Sequence, residues 1–208
     1  MIKALLLIFE PIATWEGIFR ARRGMVSILA IYLVPMLLLT CIAEAYGLTR
    51  WGKTQGEVAH TRIFSAKEAV VFETGQFVLY LAIFFIGAKL IKSIGETFHG
   101  RHTYNQSFTA VAYGLSPLLL FRLLDALPGM SPWVTWSIGI ILSIGVLYQG
   151  IPRMMEPDPP HAFGLYLMSA LLLLLISGLA RFLTAWYLAG KFAKLDSIIS
   201  QLAARLPF

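Results

Sequence analysis

Residues 163–180 read FGLYLMSALLLLLISGLA, and residue 181 is an arginine. A helix of that length rises about 27 Å, close to the ~30 Å hydrocarbon core of a bilayer. The run carries no charge and does not alternate with polar residues, so it reads as a membrane span rather than as one face of a soluble helix. The fifth span of the chain is therefore expected over about 163–189, with Arg181 interrupting it.

Four more spans lie upstream. The first, about 25–46, follows Arg20, Arg22 and Arg23 and ends at Gly47; Pro35 near its middle predicts a kink. The second, about 69–92, opens on Ser65-Ala66-Lys67-Glu68, a capping-box sequence, and closes on Lys89 and Lys92, with Gly95 or Gly100 as its stop. The third, about 108–127, has Asn105 as its expected cap. Pro117 bends it after Tyr113-Gly114-Leu115-Ser116, with Ser116 and neighbouring helices taking up the freed backbone groups. Leu127-Pro128-Gly129-Met130-Ser131-Pro132 is a tight turn with Ser131 as cap and Pro132 at the first helical position. The fourth span, about 132–149, carries Gly139 and Ser143 at the small-xxx-small spacing that lets helices approach closely in lipid. Glu156-Pro157-Asp158-Pro159-Pro160 makes a rigid hairpin, and Asp158 is placed to cap the last helix. The fold class is all-α: an integral membrane bundle of five transmembrane helices.

Residues 1–24 and 191–208 flank the domain at 25–190. In the first flank Ile12, Trp15, Ile18 and Phe19 share a face. In the second Phe192, Leu195, Ile198, Ile199 and Leu202 recur at helical spacing opposite Lys191, Lys194, Asp196 and Gln201. Both predict amphipathic helices in the membrane interface, with a partner-docking surface as the alternative for the tail. Lys3 and residues 4–9 resemble the start of a signal peptide, but Glu10-Pro11 ends the apolar run early, so no cleavable signal is expected.

Composition agrees. Of 208 residues 58% are hydrophobic and 13% charged, against about 25% charged in soluble domains. The net charge of +6 reads as basic flanks meeting lipid headgroups, and no basic patch interleaved with aromatics points to nucleic acid. Cys41 is the single cysteine and lies in an apolar run, which excludes an intrachain disulfide.

Charges inside spans are the entry point to function, because a lone charge in hydrocarbon is costly. Glu73 lies one turn into the second span near Gln76, and Glu44 near the end of the first. Arg122 and Asp125, three apart on the third span, are placed to pair along one helix face. Their expected roles are anchoring near headgroups or stabilising the fold, with Arg181 marking a membrane boundary. Tyr113, Pro117, Gly139 and Ser143 are candidate packing positions. His99 and His102 have metal-ligand spacing without a third ligand nearby, so a basic, headgroup-facing loop is the better reading. No nucleophile motif, phosphate-binding glycine loop, HExxH or cofactor motif occurs, and no acid, base and ligand set is seen converging at one depth.

Three segments carry a family resemblance. Pro11-Ile12-Ala13-Thr14-Trp15-Glu16-Gly17-Ile18, the stretch from Gly100 through Tyr113 to Pro117, and Leu147-Tyr148-Gln149-Gly150-Ile151 occur in the order found in bacterial proteins of the Yip-domain (Ypt/Rab-interacting protein) family, which this sequence resembles. The resemblance implies a five-helix membrane bundle with a cytoplasmic N-terminus. In eukaryotic relatives it implies a non-enzymatic role in membrane traffic through small prenylated GTPases and partner membrane proteins. A long soluble N-terminal region and the aspartate-leucine-tyrosine motif of those relatives are not found here, which argues against carrying GTPase binding over. The short form fits a multi-pass protein of the bacterial inner membrane.

The expected function is a non-enzymatic membrane protein that organises or binds partner membrane proteins, with the lipid bilayer as its medium. A channel or carrier for ions, small solutes or lipid is the alternative, and a membrane enzyme comes third. Lys and Arg outside the spans divide almost evenly between the two sides. The Arg20-Arg22-Arg23 cluster beside the first span therefore sets the N-terminus in the cytoplasm. Five spans put the termini on opposite sides of the membrane; reporter fusions at each end should read out opposite compartments, and the same compartment would refute the five-span topology.

Overall fold

A computed structural model of the chain describes residues 2–55, 60–98 and 102–205, with the backbone alone at 54, 55, 60 and 193–196. His99, Gly100 and Arg101 lie outside the described residues, as do the side chains of Lys194, Leu195 and Asp196. Five helices are long and apolar enough to cross a membrane: Met25–Arg50, Ala66–Thr97, Tyr104–Ala126, Pro132–Met155 and Pro159–Leu188. They are the first to fifth spans. Several outrun their apolar stretch, because helix ends are set by capping and turns whereas apolarity sets only the lipid-crossing part. The fourth, for example, ends where Glu156 turns left-handed at φ 43°.

Capping chemistry starts the second and third spans. At Ser65 both halves of the capping box form: the Glu68 amide donates to the Ser65 hydroxyl at 3.2 Å and the Ser65 amide to the Glu68 carboxylate at 2.9 Å. The third span repeats the device with Thr103 and Gln106 rather than with Asn105. Asn105 instead donates its side-chain amide to the Arg23 carbonyl at 3.1 Å, tying that helix start to the lead-in of the first span. Ser131 and Asp158 occupy their predicted positions ahead of prolines but make no side-chain capping bond.

The two proline-bearing spans are distorted as expected. In the first, residues Leu29–Leu33 form a π-helical turn just ahead of Pro35, which absorbs the ring clash and the missing amide. In the third, the α-helix breaks at Leu115 and resumes at Ser116–Arg122. The Tyr32 hydroxyl, from the π turn, meets the Ser116 hydroxyl, so the two irregularities lock together. The third span is the hub: 78% of its apolar window is buried by protein, against 44% or less for the other four.

Gly139 and Ser143 carry a close approach of the fourth span to the third. A Cβ on Gly139 would sit 2.8 Å from the Leu118 Cα, and the Ser143 hydroxyl accepts the Leu118 amide at 3.2 Å, just past the break at Leu115. The small-xxx-small spacing thus seats the fourth span against the kink of the third.

Two short helices precede the spans, α1 (Ile2–Phe9) and α2 (Pro11–Ala21). Their apolar faces are buried at Ala4, Leu7, Trp15 and Ile18, against the bundle rather than against lipid alone. The loop after the first span pairs Lys53–Gln55 with His60–Arg62 as an antiparallel ribbon. The tail forms a helix over Ala193–Ala204; Phe192 and Ile199 pack on a small cluster of Leu48, Phe64, Phe72 and Tyr187, while Ile198 and Leu202 stay exposed.

Alanine at Gly139 should destabilise the protein by about 1–3 kcal/mol through overpacking. The same change at Gly145, where a Cβ meets nothing within 4 Å, should be neutral or slightly stabilising. Unfolding of both variants in detergent tests this, and equal behaviour would contradict the packing described.

Candidate functional site

Each of the five spans delivers a polar side chain to one depth, in the half of the bundle nearer the ribbon: Glu44, Glu73, Arg122 with Asp125, Thr135, and Arg181. All are at most 5% exposed. The chain direction explains the convergence. Odd-numbered spans carry these polar residues near their ends and even-numbered spans near their starts, so alternation of direction stacks them at one level.

Arg122 is the centre of the first group. Its Nε donates to Glu44 Oε2 at 3.1 Å, and its Nη2 lies 3.0 Å from both Glu44 Oε2 and Glu73 Oε2. The guanidinium also covers the Tyr80 ring, 4.4 Å from its centroid. In the second group Arg181 Nη2 donates to Asp125 Oδ2 at 2.6 Å and reaches the Thr135 hydroxyl at 2.7 Å, while its Nε donates to the Pro132 carbonyl at 2.7 Å. Thr135 in turn donates to Asp125 Oδ1 at 2.6 Å. Lys53, on the ribbon, closes the end of the third span by donating to the Asp125 backbone carbonyl at 2.8 Å, a cation at a helix C-terminus.

Several sequence-based expectations are corrected by this geometry. Arg122 and Asp125 do not pair with each other along one helix face, because each finds a partner from another span at hydrogen-bond distance. Glu44, Glu73 and Asp125 are enclosed by protein rather than set among headgroups, and Arg181 is a buried partner of Asp125 rather than a boundary marker. Charged groups do converge at one depth, which the linear spacing did not disclose. Thr135, Tyr80 and Lys53 join the site without a signal of that role in the sequence; Thr135 is an ordinary first-turn residue, and nothing in its neighbourhood marks it.

The space between the two groups, walled by Tyr80, Leu118, Arg122, Thr135, Trp136 and Arg181, has no room for a water molecule. Glu73 Oε1 and Arg122 Nη1 are buried without a hydrogen-bond partner. Among the described residues no group of three or more His, Cys, Asp or Glu is placed to hold a metal ion.

The other end of the bundle is organised by aromatics. Trp15 is fully buried, its ring against Gly150 and its Nε1 donating to the Val146 carbonyl at 3.0 Å. Tyr113 meets Trp15 edge-on at 6.4 Å and lies 4.4 Å from the Tyr32 ring. Trp15, Tyr113 and Gly150 come from the three segments that carry the family resemblance, so one residue of each meets in a single packing node. Pro117, one turn on, supplies the break that lets Tyr32 reach Ser116.

A five-span helical membrane protein with a closed ionic interior is the class that this fold defines. The chain belongs to the Yip1 domain family, whose profile matches residues 5–182. No curated protein and no solved structure matches it.

Replacing Arg122 with Met leaves two buried carboxylates facing each other, and should cost about 3–5 kcal/mol. Adding Glu44→Gln and Glu73→Gln removes the unpaired charge and should restore most of that loss. Thermal unfolding in detergent is the measurement; a triple variant no more stable than the single one would show that the ion pairs are not what the arginine contributes.

Proposed function

We propose that the protein is a non-enzymatic polytopic membrane protein that organises or binds partner membrane proteins, as a subunit of a larger membrane complex. The observation that carries this reading is the closed charge cluster. The five charged side chains gathered inside the bundle are engaged with one another, and the space between the Arg122 and Arg181 groups has no room for water, let alone a substrate. An enzyme needs a reacting atom within about 3 Å of its acid, base or nucleophile, and the cluster offers no such position. Membership of the Yip1 domain family fits this view, since the Yip resemblance points to partner binding rather than to catalysis.

What remains available for recognition is the outer surface. The fifth span is the least covered, with 28% of its apolar window buried. Leu171, Leu175, Leu179 and Leu183 form an exposed ridge at four-residue spacing along it. We place the protein in a bacterial inner membrane with its N-terminus in the cytoplasm, supported by the Arg20-Arg22-Arg23 cluster before the first span and by the absence of Lys and Arg between the third and fourth.

A channel or carrier has weaker support. Its candidate charges, Glu73, Arg122 and Arg181, sit at one level instead of lining a path.

Cross-linking in native membranes followed by purification in a mild detergent should recover a membrane protein in stoichiometric amount. An isolated monomer with nothing attached would count against partner binding. Liposomes containing the protein should show no ion flux above empty ones; flux that falls with Glu73→Gln would favour the channel instead.

A further inference from the structure

A cavity of about 400 Å³ opens at the end of the bundle opposite the charge cluster, between α1, α2 and the ends of the spans. That volume lies within the range of small-molecule sites, about 300–1,000 Å³. Three cations line it, Lys3, Arg22 and Arg23, against one acid, Glu156. None of the three cations is ion-paired among the described residues, in contrast to Arg20, whose guanidinium lies outside the cavity and pairs with Glu16 at 3.3 Å. We propose that this cavity binds the phosphate of an anionic phospholipid headgroup.

The choice of a lipid over a soluble anion follows from where the cavity lies and what else lines it. Arg22 and Arg23 immediately precede the first span at Met25, Thr103 caps the third at Tyr104, and Met154 and Glu156 end the fourth. The mouth is therefore at the level where a span leaves hydrocarbon, and basic pockets between membrane helices at that level suit anionic headgroups. Part of the wall is apolar, from Ile18, Phe19 and Met154, which suits the glycerol and upper acyl region. Asn105 lines the same space, and its side-chain oxygen is buried without a hydrogen-bond partner, an acceptor for a headgroup hydroxyl. Partial burial, and then the charge of Arg23, lowers the proton affinity of the Lys3 ammonium; a bound anion offsets both effects. Tyr113 lines the cavity with its ring under the Lys3 ammonium and touches the Trp15 node, so a bound headgroup would brace α1 and α2 against the bundle.

The test uses the full chain in a mild non-ionic detergent. Unfolding midpoints are followed during titration with phosphatidylglycerol, with phosphatidylethanolamine and with inorganic phosphate, for the wild type, the K3Q/R22Q/R23Q variant and R20Q. Phosphatidylglycerol should raise the wild-type and R20Q midpoints more than phosphatidylethanolamine does. The triple variant should need about tenfold or more phosphatidylglycerol for the same shift. If the triple variant does not fold, K3Q and R23Q singly carry the test, each needing several-fold more lipid. Equal shifts with the two lipids, or an undiminished phosphatidylglycerol response in the variants, would overturn the site. A wild-type response to inorganic phosphate as strong as that to phosphatidylglycerol would overturn the lipid assignment.

Discussion

Arg122 and Arg181 hold the structure in a way that apolar contact in lipid cannot. Hydrocarbon outside the helices is as apolar as the leucines within them, so burial of leucine does not by itself select which helices meet. A guanidinium in that medium does select, because leaving it without a carboxylate costs several kcal/mol. Arg122 joins the first, second and third spans, and Arg181 joins the third, fourth and fifth. With the third span common to both, two side chains specify the neighbours of all five helices. Moving the first and second spans away from Arg122, or the fifth away from Asp125, leaves a buried charge alone.

The small-residue and proline positions follow from that arrangement. To serve both arginines the third span must be central, and a central helix needs close neighbours on every side. Gly139 and Ser143 give the fourth span that proximity, and the break at Leu115 directs the lower half of the third span towards it. The π turn ahead of Pro35 makes the matching adjustment in the first span. Specificity at one end of the bundle is thus ionic, and at the other it is aromatic, through Trp15, Tyr113 and Tyr32.

How much of this could be read from the chain depends on the range of the interaction. Spans are written in runs of about twenty residues, and the capping box at Ser65 in four, so both were legible. The same four-residue rule fits Thr103 and Gln106, so this cap too is written in the sequence, two residues ahead of the expected Asn105. Glu73, Arg122, Asp125 and Arg181 were recognisable as costly residues, yet their partners were not. The pairs are separated by 49, 56 and 78 residues, and a helical period says which face a residue occupies, not which helix that face meets. Nearness along the chain favoured Arg122 with Asp125, and three-dimensional proximity overrode it. The three resemblance segments were visible as strings, whereas their meeting at Trp15 and Gly150 needed the fold.

The ionic ties also impose an order on biosynthesis. Spans emerge from the ribosome one after another, and the third has the lowest apolar character of the five, with a mean hydropathy of 1.4 in its best window. When it reaches the membrane its Arg122 already has Glu44 and Glu73 waiting, so half of its burden is relieved at once. Asp125 has no such provision: its arginine belongs to the last span to be made. In a nascent chain of four spans Asp125 has the Thr135 hydroxyl but not yet its arginine, which arrives only with the fifth helix. Completion of the chain, rather than gradual accretion of helices, is the step that closes the bundle.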